Sequence, residues 1–438
     1  MAHHKILTLR GFYKSGNIIT DQLNSSFDEG VPPVLIFPRQ KVEENVLIKL
    51  ANYLRNKFNY DGSYPILADV GDMSNGFFLP RDIWKTECMN AVDSIATLNE
   101  HLNNTNLHIN HITLKIPSLY PYELARRQWN IHEPDDSLLC PLDINEYLES
   151  FNLIRQSLRE VVAYAYDFGF TISLENDQPT FFVIRSKQNQ IPEDLFEMFN
   201  IEQIDPRTGE SQFYWQLQSC PSNSNPKFVN LVLSGLESYK TGIMYDPEHW
   251  HMTFNYAKNN SIGNRRLTNE ERQFIETFGY LVRKGKKILY EETINPAEAL
   301  SRVKSPVYGL HVVGYPDDNL SFADVVGDKK TVRMAESFPL FFDSENMRKV
   351  AEFYADVYGK TLVPVDMSYA INDKDVREQI GREIYDNMRL ALAEAVKRQE
   401  LHYLILEMKS EPGIYSGGRW QQFLRTSKAS LEYLLSQG

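Results

Sequence analysis

The stretch from Asp143 to Asn176 reads DINEYLESFNLIRQSLREVVAYAYDFGFTISLEN. It holds one helix and the strand that follows it. Asp143-Ile-Asn-Glu146 is a capping-box pattern: an acid at the N-cap takes a backbone N–H, and a glutamate three residues on reaches back. Leu148, Phe151, Leu158 and Val162 then mark an apolar helix face. Gly169 stands where a helix needs a left-handed residue just past its end. Residues 170–175 form a short apolar run closed by a charge, as in a strand covered on both faces.

The same rhythm extends in both directions. Apolar runs occur at residues 34–37, 64–70, 112–116, 170–175, 242–246, 307–313, 361–366 and 402–407. A ninth run, residues 6–9, reads as an accessory strand within an N-terminal segment, 1–30. Thr268-Asn-Glu-Glu271 repeats the capping box before Phe274, Phe278 and Leu281, with Gly285 ending that helix. Asp373 starts another, in which Val376, Ile380, Ile384 and Ala391 share a face. Helix followed by strand is the order a parallel crossover requires. Eight such units predict an α/β fold, a single (β/α)8 TIM barrel spanning residues 1–438. A typical barrel needs roughly 250 residues. The surplus is assigned to long insertions after the expected strands four and six, residues 176–225 and 315–340. Both would rise over the C-terminal mouth, as pocket walls or as contacts in a homo-oligomer.

Composition excludes several classes. The chain carries a formal net charge of −12, so it repels phosphate backbones and disfavours nucleic acid as a partner. The basic runs Arg265-Arg266 and Arg283-Lys284 through Lys286-Lys287 read as solvated surface, the second at a helix end. Three cysteines without CxxC spacing argue against a disulfide framework or a thiolate metal site. No stretch approaches the ~20 apolar residues that span a bilayer. The N-terminal Met-Ala-His-His-Lys lacks a signal-peptide core, so a cytoplasmic location is expected.

Four of the runs end in, or contain, a residue able to hold a metal: Glu175, Asp246, His311 and Glu407. Buried charges are rare unless paired or metal-bound. Three carboxylates meeting at one barrel mouth would repel without a cation. Three oxygen donors and one imidazole suit one divalent cation: Mn, Mg, Co or Zn. Each residue also has a plainer reading. Glu175 and Glu407 could pair with Arg or Lys, Asp246 could cap a turn before Pro247, and His311 could be a core histidine.

Leu174-Glu175-Asn176, Asp246-Pro-Glu-His249, His311 and Glu407, in that order, resemble the xylose-isomerase-like barrel superfamily. That group includes sugar-phosphate isomerases and epimerases and type-IV apurinic endonucleases. The resemblance covers roughly residues 105–410, as motifs only. It implies one divalent metal on Glu175, Asp246, His311 and Glu407. It also implies Glu175 and Glu407 as the catalytic acid/base pair, moving a proton beside a carbonyl through an enediolate. His249 would contact substrate oxygens, or in the endonuclease branch a further metal; Asn176 belongs to the same motif. The chain departs from the pattern in the long spacing from Glu175 to Asp246. Lys115-Ile-Pro stands where several relatives have a histidine, Asp317 where ketose epimerases have an arginine, and Phe181 near where they carry a second glutamate.

Lys115 could bind a substrate oxygen, donate a proton, or form a structural ion pair; Asp366 lies on the same expected rim. His251 is a weaker candidate than His249. His108 and His111 precede the third expected strand and read as structural. His3 and His4 are terminal. Ser416-Gly417-Gly418-Arg419 could cradle a phosphate or form a plain turn. The leading expectation is therefore a metal-dependent isomerase or epimerase of a sugar-derived keto compound, with a small carbohydrate-like substrate. The alternatives are a metal-dependent hydrolase or endonuclease of the same barrel group, or a non-catalytic barrel.

Overall fold

The computed structural model describes residues 5–11, 13–14, 17–18, 20–57, 65–70, 81–103, 107–115, 144–176, 181–187, 201–204, 211–218, 226–250, 269, 282–284, 287–289, 296–312, 320–326, 329–334, 360–364, 388–407 and 419–436. Among them, eight parallel strands close into a barrel: β1 (Lys5–Gly11), β2 (Pro33–Phe37), β3 (Pro65–Val70), β4 (His108–Lys115), β5 (Thr171–Glu175), β6 (Thr241–Tyr245), β7 (Val307–Val312) and β8 (Tyr403–Leu406). Helical segments lie between and after them: α1 (Thr20–Asp28), α2 (Glu44–Lys57), α3 (Arg81–Leu102), α4 (Ile144–Asp167), α5 (Pro226–Leu233), α6 (Pro296–Ser301), α7 (residues 388–395) and α8 (Arg419–Ser436). The seam is β1 against β8, with Lys5 opposite Tyr403 and Thr8 opposite Leu406. The Lys5 N–H donates to His402 O at 2.9 Å, and Thr8 Oγ1 donates to Leu406 O at 2.9 Å.

Strand alternation sorts side chains into two layers. Leu35 and Phe37, Ile112 and Leu114, Ile172 and Leu174, Ile243 and Tyr245, and Leu404 and Leu406 join the layer between strands and helices. Against them α2 sets Val46, Leu47, Leu50 and Leu54, α3 sets Trp84, Ala91 and Ile95, and α4 sets Phe151, Ile154, Leu158 and Val162. Each large apolar side chain buried this way contributes about 1.5–3 kcal/mol. Leu7, Val34, Leu67, Met244, Tyr403 and Ile405 form a second cluster, the plug inside the barrel. On β4 and β5 the alternate positions are polar instead: His111, Thr113 and Lys115 beside Thr171, Ser173 and Glu175. Ser173 Oγ satisfies two of them, lying 2.9 Å from His111 Nε2 and 3.0 Å from Thr113 Oγ1.

The barrel contains a different set of eight runs from the one expected. Residues 6–9 are part of β1, a full barrel strand paired on both sides, rather than an accessory strand. Residues 360–364 lie outside the barrel, antiparallel to Leu320–Val326. The physical reason is Pro364, which has no N–H to donate. Proline is tolerated on a sheet edge or at a strand start, and Lys360–Pro364 is an edge strand. The insertions accordingly follow β5 and β7, one strand later in each case.

Both insertions hold antiparallel sheets. The first orders Phe181–Lys187, Ser211–Gln218 and Ile201–Ile204, with Ser211–Gln218 in the centre. The second sets Leu320–Val326 between Lys329–Met334 and Lys360–Pro364. Lys329–Met334 packs beside Ile201–Ile204, so the two insertions meet.

Gly169 follows α4 with φ 81°, a left-handed position that a side chain would strain, as expected. The basic run from Arg283 to Lys287 does not end a helix. Val282–Lys284 and Lys287–Leu289 pair antiparallel. Asp143, the Thr268–Glu271 box apart from Asn269, and the helix start at Asp373 lie outside the described residues. No described helix is long and apolar enough to cross a membrane.

Candidate metal centre

β5 to β8 are consecutive neighbours, and each carries one member of the predicted set to the same rim. Glu175 is the last residue of β5, opposite Met244. Asp246 directly follows β6, His311 is the penultimate residue of β7, and Glu407 directly follows β8. All four sit at the C-terminal ends of their strands, the end at which barrels of this kind place their chemistry. Each offers a ligand atom, and these atoms lie within 4.8 Å of one another. Glu175 and Asp246 are 0% exposed and His311 is 1% exposed, while Glu407 remains partly open to solvent.

The atoms approach as ion pairs but leave their hydrogen bonds unmade. Both carboxylate oxygens of Glu175, Asp246 Oδ2, both ring nitrogens of His311 and Glu407 Oε2 are buried and have no hydrogen-bond partner. His311 Nδ1 lies 2.7 Å from Glu407 Oε2, 3.4 Å from Asp246 Oδ2 and 3.6 Å from Glu175 Oε1. One buried polar group left unmade costs about 1–3 kcal/mol, and a charged one more. Donors that converge on a common point without satisfying each other fit a cation between them. The set is three carboxylates and an imidazole, hard oxygen plus borderline nitrogen.

Electrostatics reflect the crowding. Burial is the largest influence on Glu175 and pushes its carboxyl up to about 8, against the opposing pull of Lys115 and His311. Lys115 Nζ stands 3.5 Å from Glu175 Oε1, its neighbour across β4 and β5. For Asp246, burial acts upward, but His249 and His311 outweigh it and bring the carboxyl down to about 2. Burial likewise opposes ionisation of His311, yet Glu175 and Glu407 hold its imidazole well above the usual histidine range. Burial raises Glu407 too, and the charge of His311 wins, leaving it lowered.

Asp246 divides its two oxygens. Oδ1 accepts the backbone N–H groups of Glu248 (2.8 Å) and His249 (3.3 Å), which fixes the turn after Pro247. Oδ2 is left for the centre. The ligand atoms of Asp246, Glu248 and His249 also lie close together, but these residues share one tight turn and are near by sequence alone.

Asn176 is enclosed beside Asp246. Its amide donates to Asp246 O and accepts from Asp246 N, both at 2.7 Å, and the residue is 0% exposed. Bonded in this way to the backbone that follows the neighbouring strand, it braces Asp246. His249 is brought to the site as expected. Its Nδ1–H donates to Asn176 O at 2.8 Å, and the ring stands 3.4 Å from Asp246 Oδ2 and 3.8 Å from Glu175 Oε1. Trp84 Nε1–H donates to Lys115 O at 3.3 Å, fixing the end of β4.

Asp69 was not anticipated. It lies on β3, is 4% exposed, and its charge reaches Glu175. The signal was present in Leu67-Ala-Asp69-Val, a charge inside an apolar run. His108 is exposed, and His111 is buried at the opposite end of the barrel. His251, Asp317, Asp366 and residues 416–418 lie outside the described residues, as do His3 and His4.

No known family model matches the sequence, and no curated protein matches it significantly. Among solved structures, the chain is similar to a xylose isomerase domain protein from Planctomyces limnophilus, at 10% identity and TM-score 0.45, over 99% of this chain and 98% of that one. It is similar to a D-tagatose 3-epimerase-like protein at 11% identity and TM-score 0.43, over 98% and 99%. It is also similar to a 3-keto-D-glucoside 4-epimerase from E. coli at 10% identity and TM-score 0.39, over 98% and 100%.

Proposed function

We propose that the protein is a divalent-metal-dependent isomerase or epimerase of a sugar or sugar-derived keto compound, working by proton transfer through an enediolate. One observation carries this reading: buried oxygens and an imidazole of Glu175, Asp246, His311 and Glu407 converge without hydrogen-bond partners. Two of the four are glutamates, the residue type that moves protons beside a carbonyl. A divalent cation (Mn, Mg, Co or Zn) held by these four residues supplies Lewis-acid polarisation of carbonyl and hydroxyl oxygens.

The chain's own groups do the rest. Glu175, ionised, takes the proton from the carbon beside the carbonyl, and the electron pair passes to the carbonyl oxygen. Lys115, 3.5 Å from Glu175, places an ammonium where negative charge builds up. Glu407, protonated from solvent before the step, gives a proton up, and Glu175 returns its own to solvent to close the cycle. Delivered to the opposite face of the same carbon, the Glu407 proton completes an epimerisation. Delivered to the former carbonyl carbon, with the hydroxyl proton passing between the two oxygens, it completes an isomerisation. His249 contacts a substrate oxygen, and Asn176 keeps Asp246 in place. The net charge of −12 favours a small carbohydrate over a nucleic acid.

The test is deuterium wash-in from D2O, followed by NMR, over a panel of ketoses, aldoses and keto-glycosides with Mn2+ or Mg2+ added. Exchange beside the carbonyl of at least one compound is expected, falling by about 100-fold or more in Glu175→Gln and in Glu407→Gln. Exchange with no compound, or full exchange in both variants, contradicts the proposal.

A further inference from the structure

The opposite end of the barrel carries a cavity of about 320 Å³. It is walled by residues at the N-terminal ends of five strands, β4 to β8, among them Asn110, His111, Lys240, Tyr308, His402 and Tyr403. Ligand pockets run from roughly 300 to 1,000 Å³, lined by aromatic side chains with a few converging polar groups. This one is at the small end of that range, the size of a monosaccharide.

Its walls are fixed. Tyr308 and His402 lie parallel, 10° apart in plane and 6.2 Å between centroids. His111 stands edge-on to Tyr308 at 5.2 Å and to Tyr403 at 5.3 Å. The Tyr308 ring rests on bare backbone, since a Cβ at Gly242 would come within 2.5 Å of its Cε2. His111 is 3% exposed, and Ser173 takes its Nε2. Burial, its largest influence, drives His111 down to about 3, so the ring is neutral and acts as a hydrogen-bonding group.

Lys240 stands exposed at the rim of the cavity. Among the described residues it is the only non-glycine with positive φ, at φ 53° and ψ 56°. It caps the C-terminal end of the short helical turn Glu237–Tyr239, where glycine or asparagine would be relaxed. The residue held in that conformation is a lysine lining the cavity, and no lining residue is acidic. The wall itself supplies no carboxylate to the ammonium, and the charge of Glu400 reaches Tyr308 from outside it. Tyrosine hydroxyls, an amide and a neutral imidazole beside it suit hydroxyl groups on the same ligand.

We propose that this cavity is a second ligand site, remote from the metal centre, for a small hydroxylated carboxylate of the sugar-acid class. Lys240 takes the carboxylate, and Asn110, His111 and the two tyrosines take hydroxyls against the aromatic walls. The site does not depend on the reaction proposed for the other end.

The experiment measures binding of D-gluconate and of D-glucose to the full chain by saturation-transfer NMR and calorimetry. EDTA is present throughout, so the metal centre cannot take the acid. Saturable gluconate binding is expected, with glucose weaker by roughly tenfold or more, the worth of one charge-assisted contact. Lys240→Gly and Lys240→Asn should weaken gluconate by a similar factor while keeping or raising the unfolding midpoint, because both residues suit the left-handed backbone. Glu175→Gln should bind gluconate like the parent. No saturable gluconate binding, equal affinity for both probes, full binding in both Lys240 variants, or loss of binding in Glu175→Gln would each overturn the proposal.

Discussion

Asp246 shows how one side chain joins fold to chemistry. One oxygen is spent on two backbone N–H groups, and the other is aimed at the centre. Asn176 brackets the same residue from β5 through both ends of its amide. Partners behind a ligand commonly govern metal affinity by about 10–100-fold. Asn176→Ala should therefore weaken metal binding by that order without removing a ligand atom, as read by competition with a fluorescent chelator. Protons compete with the cation too. In the metal-free site Glu175 stays protonated up to about 8 and His311 holds its proton well beyond the usual histidine range. Cation binding must displace those protons, so apparent affinity should fall as pH drops below about 8. Calorimetry in buffers of different ionisation enthalpy should register proton release, and a pH-independent affinity would contradict the assignment. The four clustered residues were legible because each charge closes or interrupts an apolar run. Asp69 carried the same signal, unread. The bonds from Asn176 to Asp246 were not legible, because an amide's identity does not reveal which atoms it will bond.

Helices and strands were legible wherever one local rule decided them. In α4 the apolar stripe and Gly169 agree with the structure, because amphipathic spacing and a left-handed stop are local properties. Leu158 is 0% exposed on that stripe, and Leu158→Ala should cost about 2–5 kcal/mol in chemical denaturation. Local rules failed at residues 361–364, where β-branched residues read equally well as barrel strand or edge strand, and Pro364 was the discriminating detail. The link from the chain after α1 to α8 is also invisible in sequence. Arg425 donates through Nε and Nη2 to Glu29 Oε2 and Oε1, at 2.9 and 2.7 Å. The hydrogen bond from Arg425 holds the Glu29 carboxyl below its ordinary range. A depressed carboxyl stabilises the fold above its unfolded pKa, and that contribution disappears as pH falls through the folded value. Arg425→Met should thus lower stability slightly at neutral pH, and the gap from the parent should close on acidification below roughly pH 4.

At the scale of the whole molecule, closure organises everything else. The eightfold rhythm was legible in the chain, but which of nine runs form the ring was not, since closure pairs residues about 400 positions apart, Lys5 with Tyr403. β1 has partners on both sides and supplies Leu7 to the internal plug. Removing residues 1–11 should open two strand edges and abolish cooperative thermal unfolding, whereas an accessory strand could be lost at little cost. The closed ring also sets the site, because four adjacent strands deliver Glu175, Asp246, His311 and Glu407 to one rim. The decisive measurement is the metal content of protein purified without chelator or metal-affinity steps, by elemental mass spectrometry, beside Glu175→Gln, Asp246→Asn and His311→Ala. One divalent ion per chain, lost in all three variants, is the predicted result. A parent protein that holds no ion and takes up none of Mn2+, Co2+, Mg2+ or Zn2+ would contradict the account.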